Sequence, residues 1–252
     1  MHVKKSRGIH MILLRSIYFY TCFAVSLLLT IPQLLTANRK AKTMDPKEFN
    51  SYVHNIASRF ARGNVARSGT RFHIKGLENI PKDKAVLFVS NHQGDFDIAV
   101  FLAYIPIPHG YVSKIEIMKV PLLRDWMKLL RCVFIDRSNI RQTAGAFVEG
   151  IKTLKSGHSL VMFPEGTRSK SSNMGEFKPA AFKLATKPKV PIVPVTLNGT
   201  YNIMEANNNW IKPADVYVTI HQVVETDDMQ DTHALCEHVY EIIKNGLGDG
   251  LK

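Results

Sequence analysis

The 252-residue sequence predicts an α/β fold, a mixed, largely parallel sheet flanked by helices and preceded by an N-terminal membrane-associated helical segment. Three observations carry that expectation. Beyond residue 70, short apolar runs alternate with stretches of helical period, the pattern of a sheet covered on both faces. About 180 residues follow that point, enough for one sizeable core. Ahead of it, Ser16 to Leu35 holds twenty residues without a formal charge, long enough to cross a bilayer core of about 30 Å. The chain thus divides into membrane-associated helices over residues 1–66 and an α/β domain over 67–252.

Taken in order, the apolar N-terminal stretch is preceded by Lys4, Lys5, Arg7 and Arg15 and followed by Arg39, Lys40, Lys42 and Lys47. Basic residues on both sides give no orientation by the positive-inside rule. Pro32 interrupts the end of the stretch. A helix that dips into one leaflet and returns keeps both basic flanks on the cytoplasmic face, with Pro46 to Arg62 as an amphipathic partner helix. The charge distribution points to the same surface. Of the formal +12, residues 1–75 hold thirteen Lys or Arg against Asp45 and Glu48, whereas the remainder holds twenty against nineteen. That asymmetry suits an anionic membrane face, here the cytoplasmic face of the cell membrane. Nucleic acid is disfavoured as a partner, because the basic residues flank a lipid-length apolar run and no nucleic-acid module accompanies them. The apolar run also exceeds a typical signal core, which argues against a cleaved secretory signal.

The strands expected next are Arg71 to Gly76, Lys84 to Ser90, His109 to Ser113, Cys132 to Asp136, Ser159 to Phe163, Ile192 to Asn198 and Val216 to Val224. Helical stretches between or after them include Asp97 to Tyr104, Ile140 to Lys155 and His233 to Lys244. The three cysteines are scattered and show neither a disulfide framework nor a metal spacing, so no metal is expected and Cys132 reads as a buried thiol. His109, His158, His221, His233 and His238 have no ligand spacing.

Chemistry concentrates in two runs. In NHQGDFD (Asn91 to Asp97), His92 stands at the carboxyl end of a strand, where open α/β sheets bind ligands. The Gln93-Gly94-Asp95-Phe96 turn can bring Asp97 back to one ring nitrogen, leaving the other as a general base for a hydroxyl. Read on spacing alone, His92 and Asp97 also suit helix capping, as does Asp95. Ser90 points elsewhere on the strand, which favours a substrate hydroxyl over a covalent acyl-enzyme. In FPEGTRS (Phe163 to Ser169), a strand breaks at Pro164 into a loop in which Gly166 allows close backbone approach, Thr167 adds a hydroxyl and Arg168 offers a fork matched to phosphate. An Arg168–Glu165 surface ion pair is the plainer reading of that loop.

With these runs in view, the chain resembles the lysophosphatidate acyltransferases within the wider glycerolipid acyltransferase family. Four blocks stand in the family's order: NHQGDFD; Lys114, Glu116 and Pro121 leading to VFIDR (Val133 to Arg137); FPEGTRS; and VPIVPV (Val190 to Val195). The resemblance covers roughly residues 72 to 200. It implies His92 as base with Asp97 as its partner, and Arg137, Glu165, Gly166, Thr167 and Arg168 as binders of the glycerol phosphate, with Lys114 a further phosphate contact. It also implies that Pro194, in the last block, helps shape the site and the acyl-donor region. Arg124, Arg131 and Ala180 stand where the family often has glycine, which bears on the acceptor pocket rather than the reaction type.

The implied reaction moves a fatty acyl group from acyl-coenzyme A or acyl carrier protein to the sn-2 hydroxyl of 1-acyl-sn-glycerol 3-phosphate, giving phosphatidate. The thioester is a co-substrate and no cofactor is expected. Partners are therefore lysophosphatidate, the acyl thioester, acyl carrier protein where that is the donor, and an anionic membrane. The alternatives are another glycerolipid acceptor, such as glycerol 3-phosphate or a lysophospholipid, and hydrolysis of a lipid ester or thioester.

Overall fold

Val86 and Phe88 join one apolar cluster while Leu87 and Val89 join another, so consecutive residues of one segment are buried on opposite faces. Such a strand lies inside a sheet covered twice. In the computed structural model, which describes residues 2–227 and 231–248 and side chains from residue 10 onward, that strand is central. The side chains of Lys4, Lys5 and Arg7 fall outside the described residues.

The strands are β1 (Arg71–Lys75), β2 (Leu87–Ser90), β3 (His109–Lys114), β4 (Val133–Ile135), β5 (Ser159–Met162), β6 (Ile192–Asn198) and β7 (Asp215–Ile220). The helices are α1 (His2–Leu28), α2 (Ile31–Lys40), α3 (Pro46–Ser68), α4 (Phe96–Tyr104), α5 (Leu123–Leu129), α6 (Ile140–Lys155), α7 (Lys183–Thr186) and α8 (Thr232–Gly248). The sheet order is β1-β7-β6-β2-β5-β3-β4. Neighbours from β6 through β4 pair in parallel, β7 pairs antiparallel with β6, and β1 runs parallel to β7. The mixed, largely parallel sheet read from the sequence is thus the fold.

One face carries α3 and α4, through Val53, Ala57, Val100 and Phe101. The other carries α6, α7 and α8, through Ala146, Leu154, Leu184, Leu235 and Ile243. Asn139 caps α6 by accepting the Gln142 N–H at 3.1 Å, which accounts for a start at Ile140 as expected. The last strand is shorter than expected. It ends at Ile220, and Val224 returns only as a single bridge to Ile192.

The N-terminal stretch is two helices rather than one. The break falls at Leu29–Thr30, ahead of Pro32, where Thr30 Oγ1 donates to Leu27 O at 2.6 Å and accepts the Trp126 indole N–H at 2.9 Å. His10–Lys40 is long and apolar enough to cross a membrane by length and composition, and 11% of its most apolar window is buried. Met11, Leu14, Ile17, Tyr18, Leu28, Leu29 and Leu35 form its exposed apolar surface, while Phe19 and Leu34 join the core.

The third helix packs beside the membrane stretch, where Phe60 meets Phe23 at 5.6 Å between ring centroids and Asn64 Nδ2 donates to Ser26 Oγ at 3.5 Å, and it also covers the α/β layer. Asp45 caps it through the Lys47 and Glu48 N–H groups, and it runs to Ser68, where Gly69 at φ 73° closes it. Its buried stripe of Val53, Ala57, Ala61 and Val65 faces the α/β layer, with Ala61 and Val65 clustering with Ala103 of α4. Residue 66, the expected boundary, lies two residues before the end of this helix.

Candidate active site

The central strand delivers the site. Beyond Ser90, whose hydroxyl is buried and donates to Asn91 O at 3.0 Å, Asn91 locks the chain to β6. Its amide donates to Leu197 O and accepts the Leu197 N–H, both at 2.8 Å. Two side-chain bonds to one backbone residue hold the exit of β2 against its neighbour, and Gln93 repeats the device by accepting the Gly199 N–H at 2.9 Å. His92 leaves from between these two anchors.

The Nδ1 of His92 lies 2.7 Å from Asp97 Oδ2, which also accepts the Gln93 N–H at 2.6 Å and the Gly94 N–H at 2.9 Å. Asp97 is fully buried, and the His92 side chain remains 16% exposed. The helix-capping reading fails on this geometry. Asp97 lies in the first turn of α4 but reaches backwards to the preceding turn, and Asp95, at the cap position, makes no capping bond. A carboxylate on Nδ1 fixes that nitrogen as the donor and leaves Nε2 with a lone pair. Phe163 stacks on the imidazole at 4.1 Å between ring centroids and 18° between planes, fixing its orientation from the neighbouring strand.

The second run arrives beside the first because β5 pairs with β2. The Ser169 N–H donates to His92 O at 2.8 Å and the Lys170 N–H to Gln93 O at 3.2 Å, so the two loops are hydrogen-bonded along their length. Gly166 adopts φ 75°, a left-handed turn suited to glycine, and the Arg137 guanidinium donates to its carbonyl. Arg137 follows β4 and Lys114 ends β3; both are exposed, and these strands pair in parallel, so both bases stand at the carboxyl edge of the sheet with the loop.

Glu165 takes a different position from the one the resemblance implies. Its carboxylate is buried and turned inward, accepting the His92 N–H at 2.7 Å and the Gly175 N–H at 2.8 Å. Burial raises its pKa, against the two backbone bonds that lower it. The physical reason for the inward turn is electrostatic. An anion gains nothing by facing phosphate, whereas two backbone N–H groups that would otherwise be orphaned bind it well.

Arg168 does not pair with Glu165. Its guanidinium meets Asp95 and lies 3.7 Å from Glu205 Oε1. Of the eight residues expected at the site, His92 and Asp97 are in direct contact, Glu165 touches His92 from below, and Arg137 touches Gly166. Thr167 and Arg168 continue the same loop, and Lys114 stands two strands away from β2. Sequence reasoning missed Asn91, Gln93 and Glu205. The first two flank His92 and end a fully buried strand, which is a usable signal; Glu205 has none.

Among the positions where the family often has glycine, Arg131 adopts φ 57°, the left-handed conformation that glycine favours. Its guanidinium donates to Ser156 Oγ at 2.9 Å.

An acyltransferase family model matches residues 71–198. Those residues begin with β1 and end with β6, and they contain every site residue predicted from the sequence. The chain is 33% identical over 213 residues to a chloroplastic 1-acyl-sn-glycerol-3-phosphate acyltransferase of Brassica napus, covering 84% of this chain and 61% of that protein. A Chlamydomonas reinhardtii protein of the same designation is 30% identical, with 94% of this chain and 71% of that one covered. The crystal structure of the 1-acyl-sn-glycerophosphate acyltransferase PlsC from Thermotoga maritima superposes with a TM-score of 0.83 at 28% identity, covering 94% of this chain and 95% of that one. The chain spans between about half and two thirds of the length of the first curated relatives it matches.

Proposed function

The chain belongs to the acyltransferase family, and from that membership and the His92–Asp97 geometry we propose that it acylates the sn-2 hydroxyl of 1-acyl-sn-glycerol 3-phosphate, yielding phosphatidate. The donor is a fatty acyl thioester of coenzyme A or acyl carrier protein. The observation that carries this reading is the 2.7 Å contact of His92 Nδ1 with buried Asp97, beside a loop that bears Arg168 and touches Arg137.

The acceptor hydroxyl gives its proton to His92 Nε2 as its oxygen attacks the thioester carbonyl. The carbon–oxygen bond forms, the carbon–sulfur bond breaks, and the departing thiolate takes the proton back from the imidazolium. Asp97 holds the ring in one tautomer and stabilises its charged state. Arg137, Arg168 and Lys114 attract the acceptor phosphate, with Gly166 and Thr167 shaping the loop around it, so that phosphate binding brings the hydroxyl to His92. Arg168 exchanges its Asp95 contact for phosphate when the acceptor arrives. The exposed apolar surface of α1 and α2 seats the protein on the cytoplasmic face of the cell membrane, where the acceptor and product reside.

The test incubates the purified full chain with vesicles containing lysophosphatidate and either acyl thioester, and weighs the lipid product by mass spectrometry. Phosphatidate forms with the parent protein and is lost in His92→Ala. Turnover of glycerol 3-phosphate in place of lysophosphatidate would reassign the acceptor. Free fatty acid released without acceptor dependence would make the protein a hydrolase.

A further inference from the structure

Glu205 lies beyond the segment that the family model matches, in a short 3-10 turn, Glu205–Asn207, that follows β6. Its side chain is 2% exposed. Oε1 accepts the Asp95 N–H at 2.7 Å, in the middle of the turn that joins His92 to Asp97. Gly94 passes so close to the carboxylate that a Cβ there would stand 2.5 Å from Oε2. The same Oε1 lies 3.7 Å from Arg168 Nη1. One buried carboxylate therefore touches both the base-bearing turn and the cationic loop.

The segment that carries it is anchored. Ile203 and Ile211 are fully buried, the Tyr20 hydroxyl of α1 donates to Asn209 O at 2.6 Å, and Ser16 Oγ accepts the Ile211 N–H at 2.8 Å. Glu205 is held from behind by α1 and presses forward on the turn. Burying a carboxylate is unfavourable unless donors or cations compensate, and a segment needing only packing would be served by an apolar residue. Oε2 is buried with no hydrogen-bond partner, so the carboxylate is only partly satisfied at this position. Burial raises its pKa, and the negative charges of Asp95 and Asp97 add to that rise.

We propose that Glu205 is a positioning residue of the transfer reaction: it fixes the turn between His92 and Asp97 through the Asp95 N–H, and holds the Arg168 guanidinium beside that turn until the acceptor phosphate takes it over. This rests on the reading of the site given under Proposed function. The two halves of the role separate by substitution. Glu205→Gln keeps an oxygen for the Asp95 N–H and removes the charge facing Arg168, whereas Glu205→Ala removes both.

The experiment measures kcat, the KM of each substrate and amide hydrogen exchange over residues 91–97 for the parent and both variants, with thermal melting to verify folding. Glu205→Ala lowers kcat at least tenfold, leaves the donor KM within twofold, and speeds exchange at the Asp95 amide at least tenfold. Glu205→Gln returns kcat to within threefold of the parent and lowers the lysophosphatidate KM at least threefold, because Arg168 has lost one of two counter-charges. Parental kcat and exchange in Glu205→Ala would overturn the proposal, as would a Glu205→Gln variant with an acceptor KM that is unmoved or raised. Should Glu205→Ala not fold, Glu205→Gln decides by its KM and by exchange at Asp95, which stays at the parental rate if the anchor is as described. A parent protein that fails to acylate lysophosphatidate refutes the proposed function instead, and the exchange comparison still reads the anchor.

Discussion

Replacing Glu165 separates two roles for a residue in the most recognisable run of the chain. A phosphate contact would leave stability alone and raise the acceptor KM. The geometry gives another outcome, since the carboxylate accepts the His92 and Gly175 N–H groups and is buried. Glu165→Ala orphans both donors, at about 1–3 kcal/mol each, so the loss of stability is about 2–6 kcal/mol. For a domain of this size that lowers Tm by roughly 5–20 °C. Glu165→Gln keeps one acceptor oxygen and turns an amide donor toward the other N–H, which halves the gain from the isosteric shape. Freed of its tether, the His92 backbone shifts, and a displacement of about 1 Å at a reacting group costs on the order of a hundredfold in rate. Scanning calorimetry with steady-state kinetics on lysophosphatidate vesicles reads both quantities. A Glu165→Ala protein with parental Tm and kcat and a raised acceptor KM would refute the positioning argument.

Arg137→Ala and Arg168→Ala should each raise the lysophosphatidate KM by roughly tenfold or more, the worth of a charge-assisted hydrogen bond, with the donor KM within about twofold; equal damage to both substrates would count against phosphate contact. Acidification should destabilise the protein through its buried histidines. Burial holds His109 down to about 3 and His158 down to about 4, and depresses His54, whose ring packs 5.3 Å from that of His109. These folded-state values lie below the unfolded value of about 6.5, so the stability they support is complete above that pH and is lost as the unfolded chain takes up protons below it. Each of the first two loses about 1.4 kcal/mol per pH unit, roughly 4 kcal/mol together by pH 5, and urea titrations at pH 7 and 5 that give equal stability would exclude this. Leu14→Asp with Leu29→Asp, at side chains in residues 66% and 70% exposed, should weaken binding to anionic vesicles at least about tenfold with Tm unchanged. Unchanged cosedimentation would remove the α1–α2 surface as the membrane seat.

Local signals were legible wherever a local cause acts. Residues Ile140–Lys155 and Ile192–Asn198 form α6 and β6 with the expected bounds, the first because Asn139 caps it and the second because continuous burial makes the run apolar. The His92–Asp97 pair is separated by five positions, so a single turn brings it together; spacing alone left helix capping open beside it, and the second run with the resemblance favoured the pair. Other elements were set partly from a distance. The break at Thr30 has a local cause in Pro32, whose missing N–H cannot continue the ladder to Leu28, but the side chain that binds Thr30 there, Trp126, lies 96 residues away, and α3 turns its stripe to α4, a partner that amphipathic period alone does not identify.

The alternation of strand and helix and the turn that joins the histidine to its carboxylate follow from periodicity and short-range geometry, whereas the order of the four blocks was legible as a resemblance to the family. The contacts of Glu165, Arg168, Asn91 and Glu205 come from tertiary packing alone. Each residue carries a charged or amide group whose partner lies on another loop or strand, 106 residues away for Asn91 and 110 for the Glu205–Asp95 contact. The Glu165 carboxylate serves the backbone once the sheet aligns β5 with β2, because the nearest donors are then the N–H groups of His92 and Gly175.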